Sequence, residues 1–264
     1  MQPLRTFVRT SAFVPTMVGA AVLSAAVALS AQSVGTPVVE KLEKVGGGLY
    51  ELAVGESTDS IYVASTAAGN RRIFVLDPRT LAVRNAIDVE AHPANGVAFN
   101  NRTRTLYTTN TRSNSIAAID ATTGKVLALL TEPDGGNLHG FRALVDEEAN
   151  LVYVTIVGNP SKVWEIDGAT NTLKRQFENA GARSTGLALD KAGNRLFVGS
   201  IGDHQVIEID LAKGEVVGRH PSGGQGTTHL AYDAATGRLF AGHQQSGDVT
   251  VLDTKTWNVL KAIP

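Results

Sequence analysis

Leu106-Tyr107-Thr108-Thr109-Asn110, then Ile116-Ala117-Ala118-Ile119-Asp120, then Lys125-Val126-Leu127-Ala128-Leu129 beyond the turn residues Ala121-Thr122-Thr123-Gly124, is the stretch that decides the fold. Each apolar run is about five residues long, too short for a helix, and each is bounded by turn formers. The pattern recurs in both directions. Before it stand Ile61-Tyr62-Val63 and Ile73-Phe74-Val75-Leu76-Asp77. After it come Val152-Tyr153-Val154 with Val163-Trp164-Glu165-Ile166-Asp167, and Leu196-Phe197-Val198 with Val206-Ile207-Glu208-Ile209-Asp210. The last copy is Leu239-Phe240-Ala241 with Val249-Thr250-Val251-Leu252-Asp253. The closing aspartates lie 43, 47, 43 and 43 residues apart. A period in the low forties, built from short strands, is the mark of propeller blades; solenoids of paired helices need long 3.6-period stretches.

Each copy reads as four strands, a to d. Strand a is a run of small residues, as in Gly96-Val97-Ala98-Phe99 and Gly186-Leu187-Ala188-Leu189, which suits the crowded innermost position. Strand b carries the aromatic, strand c ends in the aspartate, and strand d follows a tight turn. An aspartate there accepts hydrogen bonds from amides just downstream and fixes the turn, so the five acids are structural and are set aside as catalytic candidates. The aromatics Tyr62, Tyr107, Tyr153, Phe197 and Phe240 are expected between successive sheets. Blades are placed at about 45–89, 90–134, 135–179, 180–223 and 224–264.

The motif Tyr107-Thr108-Thr109-Asn110, followed by Ser113-Asn114-Ser115-Ile116 and Ile119-Asp120, resembles the YVTN-repeat β-propeller family. From about Val38 onward the chain is similar to the YncE-like periplasmic branch, with Gly48-Leu49-Tyr50-Glu51-Leu52-Ala53 and Ser184-Thr185-Gly186-Leu187-Ala188-Leu189-Asp190 in support. Only the second copy keeps the motif asparagine; Ser65, Ile156, Ser200 and His243 fill that slot elsewhere. The resemblance implies no catalytic residue. It does imply seven blades, against five counted. Residues 37–44 fall in the strand-d phase of a preceding blade, although the fifth copy has its own strand d at Trp257-Asn258-Val259-Leu260-Lys261. The expectation is therefore an all-β, incomplete seven-bladed propeller, truncated at its C-terminal side and forming an open arc. A ring closed at five, with 38–44 as an extra edge strand, is the alternative.

Composition narrows the function classes. The 264 residues carry a formal charge of −1 and no cysteine. That removes disulfides, thiolate metal sites and a cysteine nucleophile. Arg5 and Arg9 precede an uncharged run of small and apolar residues from Met17 to Ala31, the pattern of a signal peptide spanning 1–31 with cleavage near 28–31. A membrane anchor is disfavoured, because the strongly apolar part falls short of about 20 residues. A periplasmic or secreted monomer without a stable membrane span is expected. Removing the leader takes two arginines and no acid, so the charge falls from −1 to −3.

In a propeller the d–a and b–c loops ring one mouth of the central channel. There the sequence places Glu51, Asn95, Asn110, His139, Arg142, Arg183, His229 and His243 as candidate ligand-binding residues. Two guanidiniums converging from Arg142 and Arg183 would clamp a carboxylate or phosphate. The rival reading pairs them with acids such as Glu51 as mortar between blades. Histidines from different blades would be needed for a metal, since no compact H-x-x-x-H or H-E-x-x-H spacing occurs. The cofactor is left unknown, and no metal or catalytic residue is assigned. The preferred class is a binding protein for a small anionic ligand or a protein partner. A lactonase-like hydrolase or quinone- or metal-dependent enzyme rests on fold analogy alone. Single-stranded nucleic-acid binding would want a basic groove with exposed aromatics, which a charge of −3 opposes.

Overall fold

Alternating small and apolar residues, broken every five to seven positions by Asp, Asn and Gly, fold into twenty strands in the computed structural model, which describes residues 38–264. The leader expected at 1–31 lies outside the described residues. Sheet one is β1 (Leu49–Gly55), β2 (Ser60–Ser65), β3 (Arg72–Leu76) and β4 (Val83–Asp88). Sheet two is β5 (Gly96–Asn100), β6 (Thr105–Asn110), β7 (Ser115–Asp120) and β8 (Val126–Leu130). Sheet three is β9 (Gly140–Asp146), β10 (Leu151–Ile156), β11 (Lys162–Asp167) and β12 (Thr172–Phe177). Sheet four is β13 (Ser184–Asp190), β14 (Arg195–Ser200), β15 (Gln205–Asp210) and β16 (Glu215–Pro221). Sheet five is β17 (Thr227–Asp233), β18 (Arg238–His243), β19 (Val249–Asp253) and β20 (Val259–Ile263). Every sheet is an antiparallel meander in chain order, so each repeat is one blade of an all-β propeller.

The repeat aspartates do what the turn chemistry requires. Asp120 Oδ1 accepts the N–H groups of Thr122 and Thr123, and Asp77, Asp167, Asp210 and Asp253 each accept the same two positions downstream. The chain then passes through left-handed backbone at Leu81, Gly124, Asn171, Gly214 and Trp257. In every blade the ladder between the third and fourth strands shifts register just before the aspartate, at Val75/Leu76, Ala118/Ile119, Glu165/Ile166, Glu208/Ile209 and Val251/Leu252.

Amide donation, chiefly from the residue three downstream, holds Asp77, Asp167, Asp210 and Asp253 below the usual carboxylate range; at Asp120, Thr123 gives both its amide and its hydroxyl. A pKa lowered by folding contributes stability above the unfolded value of about 3.9 and loses it as pH falls through the folded value. The melting temperature is therefore expected to hold from pH 7 to about 5 and to drop below about pH 4, with a shallower drop in Asp120→Asn. A melting temperature that stays level down to pH 2 would contradict this.

Four apolar clusters hold consecutive sheets together. Tyr62, Ile73 and Val75 of sheet one meet Val97, Phe99 and Leu106 of sheet two, with the rings of Tyr62 and Phe99 stacked at 5.1 Å. Tyr107 and Ile116 meet Val152 and Trp164; Tyr153 and Phe177 meet Leu187 and Ile207; Phe197 and Val206 meet Leu239 and Leu252. The first four repeat aromatics are each at most 2 % exposed. Phe240 departs from the expectation and is only partly buried. The strand-b aromatic faces the following sheet, and among the described residues no core cluster joins sheet five to sheet one.

The segment expected as a strand in the d phase of a missing blade, or alternatively as an extra edge strand, forms no strand from residue 38 on. Residues 38–46 carry no regular structure, and 38–44 are exposed. The five ladders are complete without them. Residues 38–42 fall outside the compact unit 43–264. Within the latter, Val45 packs with Val63, Phe74 and Leu76 on sheet one, and Gly46 lies against the Phe74 ring.

Polar groups tie the seams. Thr109 Oγ1 donates to Phe141 C=O, Thr155 Oγ1 to Thr185 C=O, and Thr185 Oγ1 to Thr228 C=O, each bond crossing to the next sheet. Arg175 joins buried Glu165 to the Leu211 carbonyl. Arg195 joins Asp190 and Glu208 to the Thr254 carbonyl. Arg175 and Arg195 are thus mortar between blades, and of the two candidate arginines Arg142 meets the rival reading too, since it pairs with Glu51 of sheet one.

Candidate functional site

The innermost strands carry a local irregularity at the mouth. In β1, Tyr50 and Glu51 lie between the paired residues Leu49 and Leu52; in β9, Phe141 and Arg142 lie between Gly140 and Ala143. β13 and β17 break register in the same place, at Thr185 and Thr228. Only β5 runs without a break. Bulges of this kind re-aim side chains. Here they mark where Glu51 and Arg142 leave the strand pattern.

Glu51 and Arg142 come from sheets one and three, and they meet. Arg142 Nη1 lies 3.0 Å from Glu51 Oε1. The other carboxylate oxygen, Oε2, accepts the Val97 N–H of sheet two at 3.2 Å. One carboxylate thus links three innermost strands. Gly96 makes this possible: a β-carbon there would stand 2.4 Å from the Phe141 carbonyl oxygen and 3.0 Å from Glu51 Oε2. The Tyr50 ring meets the edge of Phe141 at 6.3 Å on the same side.

These groups line a cavity of about 730 Å³ with Leu49, Leu52, Val63, Thr228, His229 and Gln244. That volume suits a small ligand. It adjoins a central channel of about 560 Å³, which Glu51 and Arg142 also line; all five innermost strands contribute walls, and Glu147 and Lys191 line it as well. The mouth is therefore amphipathic, with an apolar side of Leu49, Leu52, Val63 and Phe141 and a polar side of Glu51, Arg142, His229 and Gln244. Burial raises the Glu51 carboxyl above its usual range, although Arg142 and the Val97 amide pull the other way. Burial also lowers His229, and the Arg142 charge adds to that.

Of the eight sequence candidates, Glu51, Arg142 and His229 share this cavity. Arg183 lines neither cavity that holds Arg142. It sits exposed in left-handed backbone, its N–H donating to Gly158 C=O, so the expected two-arginine clamp does not assemble. His139 lies outside both cavities, its carbonyl taking the Val157 N–H. Asn95 donates its backbone N–H to Thr109 C=O, and its Oδ1 is buried without a partner.

Asn110 is fully buried within its own hairpin. It accepts from Thr108 Oγ1 and donates to Ser115 Oγ, so its amide is already engaged. His243 is likewise buried, between Ser222 Oγ at 3.1 Å and Asp248 Oδ1 at 3.3 Å. It lines a separate cavity of sheet five with His229 and Gln244. Among the described residues no three His, Cys, Asp or Glu side chains group so as to hold a metal ion. Phe141 was not among the candidates. Its signal was the pair Gly140-Phe141 directly before Arg142, a large ring where β13 and β17 carry Thr185 and Thr228 and where β1 has its counterpart in Tyr50.

No protein-family model matches the chain. It is similar to the Uncharacterized protein YncE of Escherichia coli K12, 36% identical over 182 residues, covering 65% of this chain and 51% of that protein. The same protein of Escherichia coli O157:H7 is 34% identical over 194 residues, covering 69% and 54%. The Salmonella typhi protein of that name is 34% identical over 176 residues, covering 63% and 49%. The chain thus has YncE homologues over about two thirds of its length and spans about half the length of these curated relatives. Among solved structures, the one titled Crystal structure of Nidogen/Laminin Complex aligns with a TM-score of 0.66 at 16% identity, covering 81% of this chain and 79% of the other. At that identity the likeness speaks for the propeller fold alone. Among the described residues no helix is long and apolar enough to cross a membrane.

Proposed function

We propose that this chain is an exported propeller of the YVTN-repeat, YncE-like kind that binds a small carboxylate-bearing ligand with an apolar body at its channel mouth. The observation that carries the reading is the meeting of Glu51, Arg142 and His229, from sheets one, three and five, beside the apolar wall of Leu49, Leu52 and Phe141. Arg142 offers a planar, permanently charged donor to a carboxylate, and the wall offers desolvation to whatever the carboxylate is attached to. Rigid strands on three blades hold the groups, so little ordering is needed on binding. Export rests on the leader pattern of residues 1–31, read from sequence.

Titration calorimetry with butyrate, benzoate and aliphatic dicarboxylates tests the reading. Carboxylates with an apolar body are expected to bind more tightly than acetate. Arg142→Lys is expected to weaken binding about tenfold although the charge is kept, because a lysine cannot supply the two-point fork. Equal binding by Arg142→Lys and the parent chain, or no binding of any carboxylate at millimolar concentration, would remove the reading.

A further inference from the structure

We infer that Glu51 is the mouth's own resident anion, a carboxylate that an incoming ligand must displace from Arg142 and that takes up a proton as it yields. This rests on the carboxylate-binding reading above and adds how the site is regulated.

The geometry is that of an occupied carboxylate site. One oxygen of Glu51 faces the Arg142 guanidinium at 3.0 Å, and the other takes a backbone N–H, from Val97, at 3.2 Å. An external carboxylate would seek the same two donors. Both partners are partly buried yet line an open cavity, so the pair is accessible and incompletely solvated. Arg142 is the one arginine or lysine lining that cavity. A second carboxylate therefore cannot share the site without leaving two negative charges beside one positive charge. Like charges this close push one group to its neutral form.

Few other groups can absorb the proton. Tyr50 neighbours Glu51 on β1 and β5 carries no titratable residue; β9 carries Arg142 and Asp146, the latter paired with Lys191, and β17 carries His229, Tyr232 and Asp233, while Glu147 and Lys191 line the channel beyond. On β13 the titratable residue is Asp190, which is engaged by Arg195. Burial holds the Glu51 carboxyl above its usual range against the pull of Arg142 and the Val97 amide, which works in the same direction as proton uptake. Ligand binding then draws one proton from solvent onto Glu51. Neutral Glu51 donates a hydrogen bond where the charged form repelled. Affinity rises as pH falls, because the complex holds more protons than the free protein.

The test uses benzoate as probe with the full chain. For the parent protein, the association constant is expected to rise with falling pH, by up to about tenfold per unit, with uptake approaching one proton per benzoate in buffers of different ionisation heat. Glu51→Gln keeps the acceptor for Val97 and removes the charge. It is expected to bind benzoate about tenfold more tightly at pH 7 and to lose the pH slope. His229→Gln should keep the slope. Benzoate binding with zero proton uptake by the parent protein would overturn the inference, and that measurement needs no variant to fold. So would a Glu51→Gln protein with parental affinity and slope, or a slope lost in His229→Gln instead. These outcomes leave carboxylate binding standing. Absence of benzoate binding by both proteins from pH 5 to 8 would overturn the inference together with the reading beneath it.

Discussion

Tyr107→Ala is expected to lower stability by about 3–5 kcal/mol, whereas Phe240→Ala, at the same place in the repeat, should cost about 1 kcal/mol. Tyr107 is fully buried between sheets two and three, against Val152 and Trp164, and its hydroxyl reaches Asn171 Oδ1 at 2.5 Å. Truncation leaves a cavity in a seam and removes that bond. Phe240 faces away from sheet four and keeps part of its ring in water, so little packing is lost. The two tryptophans report on different seams. Trp164 lies in the cluster between sheets two and three, and Trp257 in the one between sheets four and five. Urea melts followed by fluorescence in Trp164→Phe and Trp257→Phe backgrounds should show Tyr107→Ala acting first at Trp164. Equal losses for the two alanine variants would mean that the free side of sheet five is as well packed as an inner seam.

Gly186→Ala is the second large effect, expected to cost about 3 kcal/mol, with Gly47→Ala as a control within about 0.5 kcal/mol. A β-carbon on Gly186 would stand 2.8 Å from the Thr228 carbonyl oxygen and 3.3 Å from the backbone of His229. Both neighbours are main chain of β17, so no side chain can swing aside. The same carbonyl accepts Thr185 Oγ1 across the seam, and that bond would be strained as well. Gly47 has nothing within 4 Å of the same position. Thermal melts of the two variants decide the matter. A Gly186→Ala protein that melts with the parent would show that sheets four and five can slide apart at the mouth without loss.

The blades were legible because each is specified locally. The aspartate and the two amides it receives lie within three residues of one another, and the strand-b aromatic announces its strand by composition. The mouth was legible only in part. Glu51 and Arg142 are 91 positions apart, and their meeting depends on bulges in β1 and β9 that no residue type marks. Arg183 read as Arg142's counterpart by its place before an innermost strand, but Arg142 lies inside the β9 bulge, between the paired Gly140 and Ala143, whereas Arg183 precedes the first residue of β13 and stays in the turn before it. Asn110 read as a ligand-binding residue because it falls at a b–c loop; its amide instead bridges Thr108 and Ser115 within the hairpin. Residues 38–44 read as a strand by their place ahead of the first strand a. Place in a repeat is not enough, because a strand also needs a neighbour.

Four apolar seams for five sheets make the molecule a short zip fastener under load. The first and last sheets each share one seam, and the three between share two. Tension applied to sheet five meets one seam only, since among the described residues no core cluster secures its far side. Each sheet that parts releases one repeat of about 43 residues, roughly 150 Å of extended chain. The Glu51–Arg142 pair joins sheets one and three, so it outlasts the loss of sheet five, which takes His229 and Gln244 from the mouth, and it fails only when the peel reaches Arg142.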